Sequence, residues 1–103
     1  MGFFITVEDV DHQRVRVVSA GGDALFAVIR RGEQAGLRYC HFLGDTSDHL
    51  LLNRIQFPRF LDEMRLMLAA TPPEGAECTE LAAVIEAAEA AARIEGYLLF
   101  VGE

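Results

Sequence analysis

The sequence predicts an α+β fold, with an antiparallel or mixed β-sheet, two helices packed on one face, and the C-terminal strand at the centre. Apolar and polar residues alternate through much of the first half, as they do in half-buried strands, whereas residues 58–95 have the helical apolar period. The last residues are continuously apolar. A chain of 103 residues that is 51% hydrophobic has the size and composition of one folded domain, which we assign to residues 1–103.

The first half is expected to form strands joined by turns. Phe3–Glu8 is rich in β-branched and aromatic residues, and Arg14–Val18 alternates arginine with valine. The next stretch, Asp23–Arg31, fits a strand or a short helix; we expect a strand because the Gly-Gly pair at 21–22 suits a hairpin turn. Leu37–Leu43 also alternates and is predicted to be a strand.

The second half is expected to contain both helices. A strand over His49–Phe57 leads into a helix over 58–70, which opens with a proline and has an apolar stripe. Thr79 can cap a second helix over Glu80–Glu95. The closing segment Tyr97–Val101 is wholly apolar, which is typical of a central strand buried on both faces.

The charge distribution excludes some partners and suggests others. The net charge is −7, which argues against binding to nucleic acid, since a phosphate backbone needs a positive surface. Seven acids and one arginine follow residue 70, against nine acids and eight arginines before it. This acidic third is either a solvated helix face or a surface that attracts a basic protein. The expected partner-binding residues are Glu77, Glu80, Glu86 and Glu89.

One group of polar residues suggests metal chemistry. His41, Asp45, Asp48 and His49 surround one predicted turn, and imidazole with carboxylate can hold Zn²⁺, Mn²⁺ or Fe²⁺. Their spacing differs from that of named motifs such as His-Glu-x-x-His, however, so we expect a loop that bonds its own backbone and a histidine within the core. The neighbouring Cys40 cannot pair with His41 on a strand, where adjacent side chains point to opposite faces.

A second polar group, Asn53, Arg54 and Gln56, follows the leucines at 50–52. Asn53 is expected to point inward and to bond backbone groups at the corner between strand and helix, with Arg54 and Gln56 facing solvent. This candidate polar site is where we would place the first mutations.

The segment Leu52–Gln56, the helix after it and the closing residues 97–103 resemble a set of small bacterial proteins of unknown function. Those proteins share an Asn-Arg-apolar-Gln segment and an apolar C-terminal strand followed by glycine and an acid. The resemblance spans about the last half of the chain, and it implies no activity, substrate or site.

These observations favour a non-catalytic protein that binds another protein, with an immunity- or antitoxin-like role as one concrete form. No cofactor, catalytic residue or membrane span is expected, since no apolar run approaches about 20 residues. Two cysteines without a secretory signal indicate the cytoplasm. A homodimer is a further expectation, because Ala83, Ala87 and Ala90 form a small-residue flank. The alternative is a small metal- or ligand-binding enzyme that uses His41, Asp45, Asp48 and His49.

Overall fold

The computed structural model describes residues 3–18, 20, 22–44 and 49–102. In chain order the elements are β1 (Phe3–Glu8), β2 (Arg14–Val18), α1 (Asp23–Gln34), α2 (Arg38–Leu43), β3 (His49–Leu52), α3 (Phe57–Ala69), α4 (Ala76–Arg93) and β4 (Tyr97–Gly102). Within these residues the four strands form one antiparallel sheet in the order β2-β1-β4-β3. The predicted α+β fold is therefore confirmed, and the C-terminal strand lies inside the sheet.

Helix α1 occupies the stretch that was expected to be a strand, so that prediction was wrong. Its buried residues are Leu25, Val28, Ile29 and Gly32, which form one helical stripe. Gly22 stands at the N-cap position, and its N–H donates a hydrogen bond to the Glu80 carboxylate at 2.8 Å. Gly22 therefore stands before a helix, where a carboxylate from a distant helix accepts its N–H, and not in the expected hairpin turn; Gly21 lies outside the described residues.

Helix α2 replaces the strand that was predicted over Leu37–Leu43. The Glu63 carboxylate of α3 accepts hydrogen bonds from the backbone N–H groups of Arg38 and Tyr39, at 3.2 and 2.9 Å. These N–H groups have no partner within the first turn of a helix, and an acid at this end also suits the helix dipole. The cap lies more than twenty residues away in sequence, so the local alternation of apolar residues could not reveal it.

Two element boundaries also differ from the expectation. Strand β3 ends at Leu52, and α3 begins at Phe57, so residues 53–56 form a turn instead of continuing the strand. Helix α4 begins at Ala76 rather than at Glu80. The Thr79 hydroxyl, which was expected to cap that helix, donates instead to a carbonyl at 3.1 Å from inside its first turn.

Two backbone hydrogen bonds cap the C-terminal end of α4. The N–H of Glu95 donates to the carbonyl of Ala92, and the N–H of Gly96 donates to the carbonyl of Ala91. Glu95 has a φ of 53°, so a glutamate takes the left-handed position that glycine usually fills. Gly96 is needed for a different reason: a Cβ there would collide with the carbonyl oxygen of Glu8 in β1.

Strand β4 lies between β1 and β3, as the predicted central position requires. Leu98 and Phe100 are fully buried on the face that also carries Phe3, Ile5 and Val7, and α4 packs against β1 and β4 there. The alternate β4 residues, by contrast, are only partly buried. The expectation of a strand buried on both faces was therefore wrong, because the described helices share one core with a single face of the sheet.

Candidate functional site

The second face of the sheet is apolar and is covered by none of the described helices. Strand pairing places its side chains together: Phe4 lies opposite Val101, and Thr6 lies opposite both Leu99 and Val17. Leu51 adjoins Leu99 from β3. We call this surface the open face; it consists of Phe4, Val17, Leu51, Leu99 and Val101, together with Thr6, whose side chain is buried.

Three large side chains of the open face remain substantially exposed. Phe4 is 37% exposed, Leu51 is 43% exposed and Val17 is 48% exposed. With strands about 4.8 Å apart and a rise of about 3.3 Å per residue, the apolar patch covers roughly 200–300 Å². The largest apolar patch on a monomeric protein covers about 300–600 Å² and is often a functional site, so this patch is a candidate by its position and its polar rim and not by its size.

The rim of the open face is polar. The Arg14 guanidinium lies over the Phe4 ring, 5.4 Å from its centroid, at the β2 side. At one end of the strands His12 stacks on Tyr97 with ring centroids 4.1 Å apart, and His12 Nδ1 is 2.9 Å from the Glu8 carboxylate. An apolar centre within a polar, solvated rim is the usual anatomy of a protein interface.

The four acids that were expected to bind a partner each contact a group of this same chain from another element. Glu77 Oε2 lies 3.1 Å from the guanidinium of Arg31 in α1. Glu86 Oε1 lies 3.5 Å from the guanidinium of Arg16 in β2, and Glu89 Oε2 lies 2.9 Å from that of Arg65 in α3. The fourth acid, Glu80, accepts the hydrogen bond from Gly22. The acids thus connect α4 to its neighbours in the fold.

One of these contacts changes the titration of its partners. The hydrogen bond from Arg31 lowers the pKa of the Glu77 carboxyl below its ordinary value, and the same bond raises the pKa of Arg31. Because the folded-state pKa of Glu77 is lowered, its contribution to stability is present above the ordinary pKa and is lost as the pH falls through the lowered one. Both side chains are substantially exposed, so solvent screens the pair.

The candidate polar site is a turn that satisfies its own backbone. Asn53 Oδ1 accepts hydrogen bonds from the N–H groups of Ile55 at 3.0 Å and Gln56 at 3.3 Å, and Gln56 Oε1 accepts one from the N–H of Asn53 at 2.9 Å. Asn53 is exposed and does not point inward, because β3 ends before it and the strand alternation stops. Arg54 lies 3.6 Å from Glu95, and both are exposed.

The residues proposed for metal binding are only partly described. Asp45 and Asp48 lie outside the described residues. His41 is on the solvent side of α2, with Nδ1 at 3.7 Å from Glu33, and His49 is exposed at the start of β3. In residues 3–18, 20, 22–44 and 49–102, no cluster of three or more metal-ligating side chains is present.

Cys40 has the environment of a core residue. It is fully buried on α2, whereas the side chain of His41 is 75% exposed, so the pair is separated by burial and not by the strand geometry that was expected. Its Sγ lies 3.3 Å from Met67 Sδ. Burial, with a smaller contribution from the Glu63 and Glu33 carboxylates, raises the pKa of the Cys40 thiol to about 12. A thiol that stays protonated at neutral pH is a poor nucleophile.

Comparison with protein-family models, with curated proteins and with solved structures gives no match. None of the described helices is both long and apolar enough to cross a membrane. The surface chemistry of the chain itself is therefore the basis on which a function can be proposed.

The open face is the feature that sequence reasoning missed. Its signal is present in β1 and β4, where Phe4, Leu99 and Val101 are apolar although their neighbours Ile5 and Phe100 already supply the core face. Apolar residues on both sides of a strand indicate either two covering layers or one layer and an interface. The sequence interpretation took the first alternative.

Proposed function

We propose that this chain is a non-catalytic protein that binds another protein, and that the open face is its contact surface. The observation that carries the proposal is the exposed apolar group Phe4, Val17 and Leu51, which lies on the side of the sheet opposite the helices. Burying roughly 200–300 Å² of apolar surface contributes about 5–7 kcal/mol before the costs of association. Because association itself costs about 4–15 kcal/mol, this gain supports a specific complex only together with contacts outside the patch.

The acids of α4 are assigned a structural role in this proposal and not a place in the contact surface. Their carboxylates already contact arginines or a backbone N–H of the same chain, so we assign them to holding α4 in place. With a net charge of −7 the chain still attracts basic surfaces at long range, which affects the rate of encounter more than the contact itself.

The small-residue flank of α4 also has a use inside the domain. Ala87 is fully buried, and Ala83 is partly buried against the core, so these residues allow close packing of α4. Because these alanines already pack inside the domain, they are little reason to propose a homodimer that forms through this flank. We favour the cytoplasm as the compartment, since both cysteines are free thiols. An immunity- or antitoxin-like role is the concrete form we propose, and a neighbouring toxin gene would support it.

The proposal is tested by comparing two leucines in a capture experiment. Leu51→Asp places a charge on the open face, and Leu66→Asp places the same charge on the solvent side of α3, where the leucine is 61% exposed. Each tagged variant and the wild type are used to capture proteins from a native lysate. We expect the protein bound by wild type to be retained by Leu66→Asp and reduced at least about tenfold by Leu51→Asp, because a charge there must be desolvated on binding.

Thermal unfolding of both variants is the control, since exposed substitutions are expected to change stability by only about 0.5 kcal/mol. The proposal is wrong if Leu51→Asp, while folded, captures the same protein as strongly as wild type. It is equally wrong if wild type captures nothing that survives competition with untagged protein.

A further inference from the structure

Strand β2 is an exposed edge of the sheet. It pairs with β1 on one side, and none of the described strands pairs with its other side. Residues 14–17 are all exposed, with Val15 at 54% and Val17 at 48%. An edge strand directs alternate N–H and C=O groups away from the sheet, where an extended segment of another chain can pair with them.

A groove runs between this edge and helix α4. It contains a cavity of about 200 Å³ that is lined by Arg16, Val17 and Val18 of β2 and by Ala83 and Glu86 of α4. Ala83 leaves space there because its side chain is a single methyl group. The side walls are therefore a strand edge and a helix. Extended peptides bind other domains by adding a strand to an exposed sheet edge, with pockets for alternate side chains.

We propose that the β2 edge binds an extended, acidic segment of the partner protein as a fifth strand of the sheet. This inference rests on the proposed function and specifies the partner segment. Side chains of an added strand alternate between the two faces of the sheet. One set would extend the open face beside Val17, and the other would enter the cavity beside Ala83. The open face alone is smaller than the roughly 800 Å² that each partner contributes to a standard interface, and the edge adds adjoining area.

The charges of β2 determine the chemistry of that segment. Among the described residues, no carboxylate lies within 4 Å of the Arg14 guanidinium, which lies over the Phe4 ring. Arg16 contacts Glu86 at a long 3.5 Å, and the Glu86 side chain is 71% exposed. An acid on the added strand therefore gains a cross-strand pair with Arg14 and can replace Glu86 at Arg16.

A second copy of this chain fits the edge less well. Two β2 strands paired about a two-fold axis bring the arginines at 14 and 16 next to the same arginines of the other copy, and like charges opposite one another are destabilising. At 0.15 M salt the screening length is about 8 Å, so these local arginines outweigh the more distant acids of the chain.

The test uses two capped peptides, one that alternates valine with glutamate and one that alternates valine with lysine. Each is titrated into the full chain at 0.15 M salt, and backbone amide shifts and hydrogen exchange are followed by NMR. We expect the glutamate peptide to bind at least about tenfold more tightly, to slow exchange of the β2 amides, and to leave the β3 amides unchanged. Arg14→Glu should reverse the preference, whereas Arg59→Glu, the same charge change on exposed α3, should not.

The inference is overturned if neither peptide protects the β2 amides, or if Arg14→Glu and Arg59→Glu change binding equally. It is also overturned if the β2 amides of the peptide-free protein are protected in a concentration-dependent dimer, since the occupant is then a second copy. If the peptides fail while Leu51→Asp still loses the captured protein, the edge inference fails and the proposed function stands.

Discussion

Removal of residues 97–103 is expected to abolish cooperative unfolding. These residues contain β4, which lies between β1 and β3, so the truncation leaves β3 without its strand partner. Leu98 and Phe100 are fully buried, and burial of each such side chain is worth about 1.5–3 kcal/mol. The combined loss of packing and sheet hydrogen bonds is comparable to the whole stability of a small domain. Urea and thermal denaturation followed by circular dichroism measure the effect.

Two point substitutions in the same strand provide the matched control. Phe100→Ala removes a ring from the core and should cost about 3–5 kcal/mol, whereas Leu99→Ala, on the open face, should cost clearly less. Equal losses for the two variants would contradict the assignment of the faces. A truncated chain that unfolds with the wild-type transition would contradict the central position of β4.

Gly96→Ala is expected to destabilise the fold by about 3 kcal/mol, although it adds only one methyl group. The new Cβ would collide with the carbonyl oxygen of Glu8, and a backbone atom cannot move aside as a flexible side chain can. Strand β1 and the turn before β4 must therefore separate at their first paired residues, Glu8 and Tyr97. For a domain of about 100 residues this loss should lower the melting temperature by roughly 12–24 °C.

Gly22→Ala is the matched control for this substitution. Its Cβ would meet the Glu80 carboxylate at 3.5 Å, an ordinary contact, and its φ of −80° suits any residue. The expected cost is below about 1 kcal/mol, typical of a change at an N-cap. A Gly96→Ala protein as stable as Gly22→Ala would show that the close approach of β1 to the α4–β4 turn is wrong.

The elements that the sequence predicted correctly are those whose signal is local. Strands β1 and β2 show alternation or β-branched runs, and the stripe of α3 and the breaker sequence before α4 lie within a few residues of the elements they define. Helix α2 was not predicted, because the signal that stabilises it is not local: its first N–H groups are capped by Glu63 of α3. A six-residue segment is too short for its apolar spacing to outweigh such a distant contact.

The same distinction applies to the candidate surfaces. The positions of Glu80, Glu86 and Glu89 on a helix were predicted, whereas Glu77 was expected to precede it. The partners of these acids were not predictable, because Arg16 is 70 residues from Glu86 and Gly22 is 58 residues from Glu80. The open face was also hidden, since whether an apolar strand face is covered depends on where all the helices pack. The open face is identified only by the register of the strands, because Phe4, Val17, Leu51 and Leu99 come from four different strands.

The most direct test of the open face as a protein-binding surface is site-specific photo-cross-linking in living cells. A photoreactive amino acid is placed at Leu51 in one strain and at Leu66 in another, since both leucines are exposed but lie on opposite layers of the fold. We expect irradiation to give a discrete covalent adduct with another protein from position 51 and none from position 66. An adduct from position 66 alone, or no adduct from position 51 in a folded and expressed protein, would contradict the proposal.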